Sequence, residues 1–263
     1  MSKFIEAALV GRKLEDVSVI DIHGHMGPWC LARTFATSAS DMVGCMDSIG
    51  VDAICVSAFL SITADPRLGN DIIGDAIRDF PGRFIGYATI NPHYPDSVVP
   101  ELSRCFDQLD MRGLKFHPAW HDHPVDSPSY RSALDFASER GAFVLSHTWG
   151  SPSVLTKFAE RYPNVRFIIA HQASLTGGVV PGRGWSEVMR DLPNVYADLA
   201  SSLAPMGGFE ALVEAVGAEK ILFGSDTPLH DLAFQIGRVL FADISDEDKA
   251  GILGLNALRV IGA

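Results

Sequence analysis

Eight short runs of β-branched and aromatic residues, each followed by a longer stretch with helical spacing, leave few folds open to this 263-residue chain. The runs cover residues 17–25, 52–59, 84–91, 113–117, 142–147, 165–171, 195–200 and 221–226. Their near-continuous hydrophobicity suits strands covered on both faces, as in a parallel sheet, whereas a one-sided antiparallel sheet alternates apolar and polar residues. The intervening stretches 40–49, 70–80, 97–109, 129–140, 153–162, 185–192 and 209–216 read as amphipathic helices, several opening on Ser, Asp or Asn. Gly50, Pro81-Gly82, Gly141, Pro163 and Gly217 supply stop signals before the next strand. Eight such units close most economically into a (β/α)8 TIM barrel, and the length fits a single domain spanning residues 1–263. The rival doubly wound α/β fold calls for a GxGxxG turn after the first strand. That turn reads His23-Gly24-His25-Met26-Gly27-Pro28 instead. The Gly-rich segment 172–184 reads as a mobile loop over the active face.

The polar residues ending these runs point to chemistry. His23, His25, His147, His171 and Asp226 all lie at C-terminal strand ends, the rim where barrel enzymes build active sites. His23 and His25 are two apart, so on a strand both side chains point the same way. Barrel closure sets the eighth strand beside the first and brings Asp226 next to them. His147, on the fifth strand, approaches across the mouth. Three imidazoles and one carboxylate suit a divalent ion of the zinc type with a position left for water.

These pieces resemble the amidohydrolase superfamily. The matching segments are the HxH of His23-Gly24-His25, then Gly113-Leu114-Lys115-Phe116-His117-Pro118, Leu145-Ser146-His147-Thr148, Ile169-Ala170-His171 and Phe223-Gly224-Ser225-Asp226. Their details are most similar to the compact amidohydrolase-2 branch, which holds lactone and amide hydrolases together with decarboxylases and hydratases. The resemblance implies His23, His25, His147 and Asp226 as metal ligands and His171 as the proton carrier beside Asp226. It implies one ion, zinc with manganese as the alternative. Lys115 stands where binuclear relatives carry a carboxylated bridging lysine. Its GxKxHP setting favours the single-metal branch, where that residue binds a substrate anion. His117 shares its face.

The implied reaction is hydrolysis of a small carboxylate-bearing lactone, ester or amide by a metal-activated water. Non-oxidative decarboxylation of an aromatic or enol acid is the alternative, and a catalytically silent binding barrel is a third reading. Trp29, Arg33, His93, Trp120, His121, His123, Trp149, Arg183 and His230 fall in loops after strands and suggest an aromatic, partly cationic mouth for an anionic substrate, with Trp29, Arg33 and Trp149 as contacts beside Lys115 and His117.

Composition narrows the partners. A net charge of -11 repels a phosphate backbone, so nucleic acid is not expected. Cys30, Cys45, Cys55 and Cys105 are scattered, form no CxxC pair and read as reduced, mostly buried thiols. The charged N-terminal stretch lacks a signal-peptide core and no run of about 20 apolar residues follows. The cytoplasm is therefore the expected compartment, with no membrane partner. The resemblance allows a homodimer, but no sequence feature marks an interface.

Overall fold

All eight runs become strands that pair side by side in chain order. They are β1 (Ile20–Met26), β2 (Ala53–Ala58), β3 (Phe84–Thr89), β4 (Gly113–Phe116), β5 (Phe143–Ser146), β6 (Arg166–Ile169), β7 (Val195–Asp198) and β8 (Ile221–Leu222), each parallel to the next. The computed structural model describes residues 2–31, 33–173, 184–200 and 206–262. Closure comes from backbone bonds beyond the short β8. Ile22 N–H donates to the Phe223 carbonyl at 2.8 Å, Asp226 N–H to His23 at 2.7 Å and His25 N–H to Thr227 at 2.7 Å. The result is a single (β/α)8 barrel. Its strands stop short of the polar ends of the runs, so His117, His147, His171 and Asp226 stand just past the ladder, on the rim.

The helices are α1 (Lys3–Leu9), α2 (Ala39–Ile49), α3 (Phe59–Thr63), α4 (Pro66–Asp79), α5 (Pro95–Gln108), α6 (Pro128–Arg140), α7 (Pro152–Arg161), α8 (Trp185–Asp191), α9 (Gly208–Val216), α10 (Leu232–Leu240), α11 (Asp246–Ala250) and α12 (Asn256–Ile261). The seven expected helices are present. Helix α4 begins four residues earlier than its apolar periodicity suggests, because the Asp65 carboxylate caps the Leu68 N–H and Pro66 occupies the first turn. Helices α1, α3 and α10 to α12 went unread. For α10 the start signal was present, since Asp231 caps the Phe234 N–H.

Two cores result. One lies between the strands and the surrounding helices. The other fills the barrel with Ile22, Cys55, Tyr87, Phe143, Leu145 and Ile168, against which Ala257, Val260 and Ile261 of α12 pack. The Arg166 guanidinium fastens α12 by donating to the Val260 carbonyl at 2.8 Å. This apolar filling leaves the polar strand ends as the one chemically active end of the barrel.

All four cysteines are free, but only Cys55 and Cys105 are buried, whereas Cys30 and Cys45 are exposed. Among the described residues no helix is long and apolar enough to cross a membrane. The loop expected over residues 172–184 lies largely outside the described residues, and Arg183 lies wholly outside them.

Candidate metal centre

His23 and His25 project from β1 to the same side and are almost fully buried. Between them Gly24 leaves room for the Ile54 side chain behind the strand, which a Cβ there would push aside. Asp226 reaches the pair through the β1–β8 closure, its Oδ1 lying 3.2 Å from His25 Nε2 and 3.5 Å from His23 Nε2. Asp226 and His171 both have left-handed backbones, at φ 62° and 58°. Non-glycine residues seldom adopt that region, and such strain collects where a side chain must be aimed.

The two histidines are oriented from behind. His23 Nδ1–H donates to Asp198 Oδ2 at 2.7 Å, which leaves the Nε2 lone pair facing the centre. Asp198, at the end of β7, also accepts the His171 N–H at 2.8 Å and the Ala200 N–H at 3.1 Å. Gly224 makes room for this pair, since a Cβ there would come within 3.0 Å of the Asp198 Cβ and 3.2 Å of the His23 Cβ. His25 Nδ1 meets the buried Ser57 hydroxyl at 3.1 Å. Neither Asp198 nor Ser57 was read from the sequence. Asp198 carried a signal, being a carboxylate set inside an otherwise largely apolar run.

Lys115 extends from β4 into the same space, and its Nζ lies 2.7 Å from His23 Nε2. Burial lowers its pKa to about 8, against the opposing pull of Asp226 and Asp198. Burial also disfavours the charged form of Asp226, but the hydrogen bond from His25 and the neighbouring His23 outweigh it and hold the carboxyl below its ordinary range.

Ligand atoms of His23, His25 and Asp226 lie within 4.8 Å of one another, as do those of His23, His171 and Asp198. Among the described residues His147 belongs to neither group. It joins them through His171, whose Nε2 is 3.2 Å from His147 Nδ1. His171 Nδ1 faces the Ala200 carbonyl at 2.8 Å and must donate there. In the neutral ring its Nε2 then accepts the His147 Nδ1–H, and His147 keeps an Nε2 lone pair for a ligand. His117 stacks on His147 with ring centroids 4.1 Å apart. The Trp120 N–H approaches His117 Nδ1 at 3.3 Å, so the neutral ring carries its proton on Nε2.

The imidazoles of His23, His25, His117, His121 and His147 all titrate below the ordinary 6.5, burial being the first cause in each, with about 2 for His117 and about 3 for His147. Burial moves Asp21 and Asp198 the other way, up to about 7 and about 6. Below pH 6.5 unfolding lets five histidines take up protons that the fold refuses, while two aspartates release protons that the fold holds. Uptake wins, so the stability of metal-free protein is expected to fall between about pH 6.5 and about pH 4. Urea midpoints measured with a chelator check this, and a midpoint that stays level or rises on acidification contradicts neutral imidazoles.

The mouth sorts the remaining expectations. Trp29 packs on Phe59 and Trp120, with centroids 4.7 Å and 4.9 Å away, and Phe59 stacks on His25 at 4.5 Å. A wall of rings therefore rises from the centre. Arg33 is exposed and lies over the Phe35 ring. Trp149 is a correction: it is fully buried, wedged by Phe116, Phe158 and Phe167, and its indole N–H donates to the Ile168 carbonyl at 3.0 Å. It serves the core and cannot line the mouth. His121 is tied to Tyr130 and to the Ile62 carbonyl, His93 to the His121 carbonyl, and His123 packs edge-on against His93. His230 Nε2 lies 3.7 Å from Asp226 Oδ2.

This donor set fits a divalent cation. It offers neutral imidazole lone pairs and an ionised carboxylate, with outer partners that hold the rings in place, as metal-binding histidines require.

A family model described as Amidohydrolase matches residues 58–263. The 2-amino-3-carboxymuconate-6-semialdehyde decarboxylase of Dictyostelium discoideum is 23% identical over 242 residues, covering 73% of this chain and 65% of that protein. The L-fucono-1,5-lactonase of Burkholderia ambifaria is 30% identical over 131 residues, covering 45% of this chain and 44% of that protein. The chain thus spans less than two thirds of the length of either relative. Among solved structures, the 5-carboxyvanillate decarboxylase of Novosphingobium aromaticivorans, complexed with manganese and 4-hydroxy-3-methoxy-5-nitrobenzoic acid, has a TM-score of 0.76 at 12% identity, covering 94% of this chain and 97% of that one. At that identity the likeness speaks for the barrel alone.

Proposed function

This chain belongs to the amidohydrolase family, and from that premise we propose that it is a metal-dependent hydrolase of a small carboxylate-bearing lactone, ester or amide. The ligands in this reading are His23, His25, His147 and Asp226, and the ion is a single zinc, with manganese as the alternative.

The observation that carries the choice of hydrolysis is the buried Lys115 ammonium beside His23. With an ion on His23 Nε2 the ammonium would give up that contact, and from the same buried space it would stabilise negative charge as it builds on a carbonyl oxygen. The same cation favours a substrate carboxylate in its charged form and so resists the departure of neutral CO2.

When bound, a divalent ion supplies polarisation of the carbonyl and acidification of water. The side chains do the rest. Asp226 accepts the proton of the attacking water, that proton passes to His171 Nε2, and His171 gives it to the leaving group, so both side chains end in their starting states. The Nε2–H of His117 meets the substrate's anionic group, the Trp29 ring takes its flat body, and Arg33 stands at the outer rim. We place the enzyme in the cytoplasm, a reducing compartment that suits its four free thiols.

Decarboxylation is the second reading. It is favoured by the longer match to a decarboxylase, 73% of the chain against 45% for the lactonase, and by a ring wall suited to a conjugated acid.

Incubation of the protein with lactones, amides and aromatic carboxylic acids in the presence of zinc or manganese separates the two, with acid release and CO2 release followed independently. Acid release alone is expected, and Lys115→Met should lower it by about 10²-fold to 10³-fold, as loss of a charge-stabilising group does. CO2 release without acid release overturns the hydrolytic reading. A native mass about 44 Da above the sequence mass on Lys115, or two ions per chain, overturns the single ion.

A further inference from the structure

Beneath the centre, β1 and β8 are joined by a carboxylate that the chemistry above does not use. Asp21 is fully buried. Its Oδ1 accepts the N–H of His23 at 2.9 Å and the N–H of Ser225 at 3.0 Å, and its Oδ2 accepts the Ser225 hydroxyl. The Ser225 oxygen in turn accepts the Thr227 N–H at 3.0 Å. Hydrogen bonds therefore run from the backbone of His23, through Asp21, to both chain neighbours of Asp226.

Two features of the strands make this connection necessary. The pairing of β1 with β2 shifts register between Asp21 and Gly24. Such a bulge re-aims a side chain and releases a backbone group from the ladder. The Asp21 carboxylate receives the His23 N–H at that point. The second feature is the shortness of β8, which ends at Leu222, four residues before Asp226. Past that end, the backbone bonds of Asp226 N–H to His23 and of His25 N–H to Thr227 carry the pairing with β1, and the Asp21–Ser225 bonds lie beside them.

We infer that Asp21 and Ser225 are positioning residues that fix the spacing between the His23–His25 pair and Asp226, and thereby set the affinity of the centre for its ion. The affinity part rests on the ligand set proposed above.

The test uses the full chain. Zinc affinity is measured by competition with a chromophoric chelator for Asp21→Ala, Asp21→Asn, Ser225→Ala and, as a control for general destabilisation, Ile73→Ala in the outer core. Asp21→Ala is expected to lose about 10-fold to 100-fold in affinity, the usual cost of removing a partner behind a ligand. Asp21→Asn keeps an oxygen for both N–H groups and should recover most of that loss. Ile73→Ala should lose stability but stay within about twofold of the wild-type affinity.

Wild-type affinity in Asp21→Ala, or an equal loss in Ile73→Ala, overturns the inference. Should Asp21→Ala fail to fold, Ser225→Ala decides, with weakened zinc binding expected and unchanged binding refuting the clamp. Amide exchange of His23 and Ser225 in metal-free protein is read alongside. Faster exchange in the Asp21 or Ser225 variants supports the clamp, and unchanged protection overturns it. A wild-type chain that binds no zinc refutes the ligand set, while amide exchange still decides the clamp.

Discussion

Asp226→Asn is expected to lower turnover by about a thousandfold or more, toward the upper end of what loss of a proton-transfer group costs, while leaving the barrel folded. The substitution is nearly isosteric. Asn tolerates the left-handed backbone at φ 62°, and the main-chain bond to His23 needs no carboxylate. What disappears is the negative charge facing His23 and His25, which is both an anionic ligand and the acceptor for the water proton. Metal affinity should fall with turnover. Steady-state kinetics at saturating metal, with circular dichroism as the check on folding, reads the effect. A folded variant retaining activity within about tenfold removes Asp226 from the mechanism.

His171→Asn is expected to separate chemistry from metal binding. Its kcat should fall by about 10²-fold to 10⁴-fold, the range for a general acid or base, while most of the metal remains. Asn suits the φ of 58° better than Ala, so the backbone N–H can keep its bond to Asp198. His147 loses its Nδ1 partner but keeps the Nε2 lone pair assigned to the ion. Unchanged kcat excludes His171 as the proton carrier. Loss of the metal along with activity makes it a ligand, which the 4.8 Å group of His23, His171 and Asp198 would then explain.

The barrel was open to reading because parallel strands buried on both faces appear as apolar runs, and most of the runs here end in a polar residue that such burial would not tolerate unpaired. His23, His25 and Asp226 could be placed together because period-two geometry and barrel closure need only strand order. The position of His147 was harder, since it depends on how far the chain past β5 leans inward, and it meets the cluster through His171. Trp149 shows the same difficulty in reverse. A loop position three residues past the end of β5 does not reveal whether a ring faces the mouth or the helices, and the Phe116, Phe158 and Phe167 rings that hold it come from elsewhere in the chain. Asp198 and Asp21 escaped notice for another reason. Their work is to orient His23, and the pairing spans 175 residues in one case and two residues within a shifted register in the other. Neither spacing forms a motif.

The most direct test of the central claim is the metal content of gently purified protein, measured beside a variant carrying His23→Ala and His25→Ala together. About one divalent first-row ion per native chain is expected, and almost none in the variant. Native protein free of such metal, or a variant that retains it, contradicts the assignment of the barrel's rim as a metal centre.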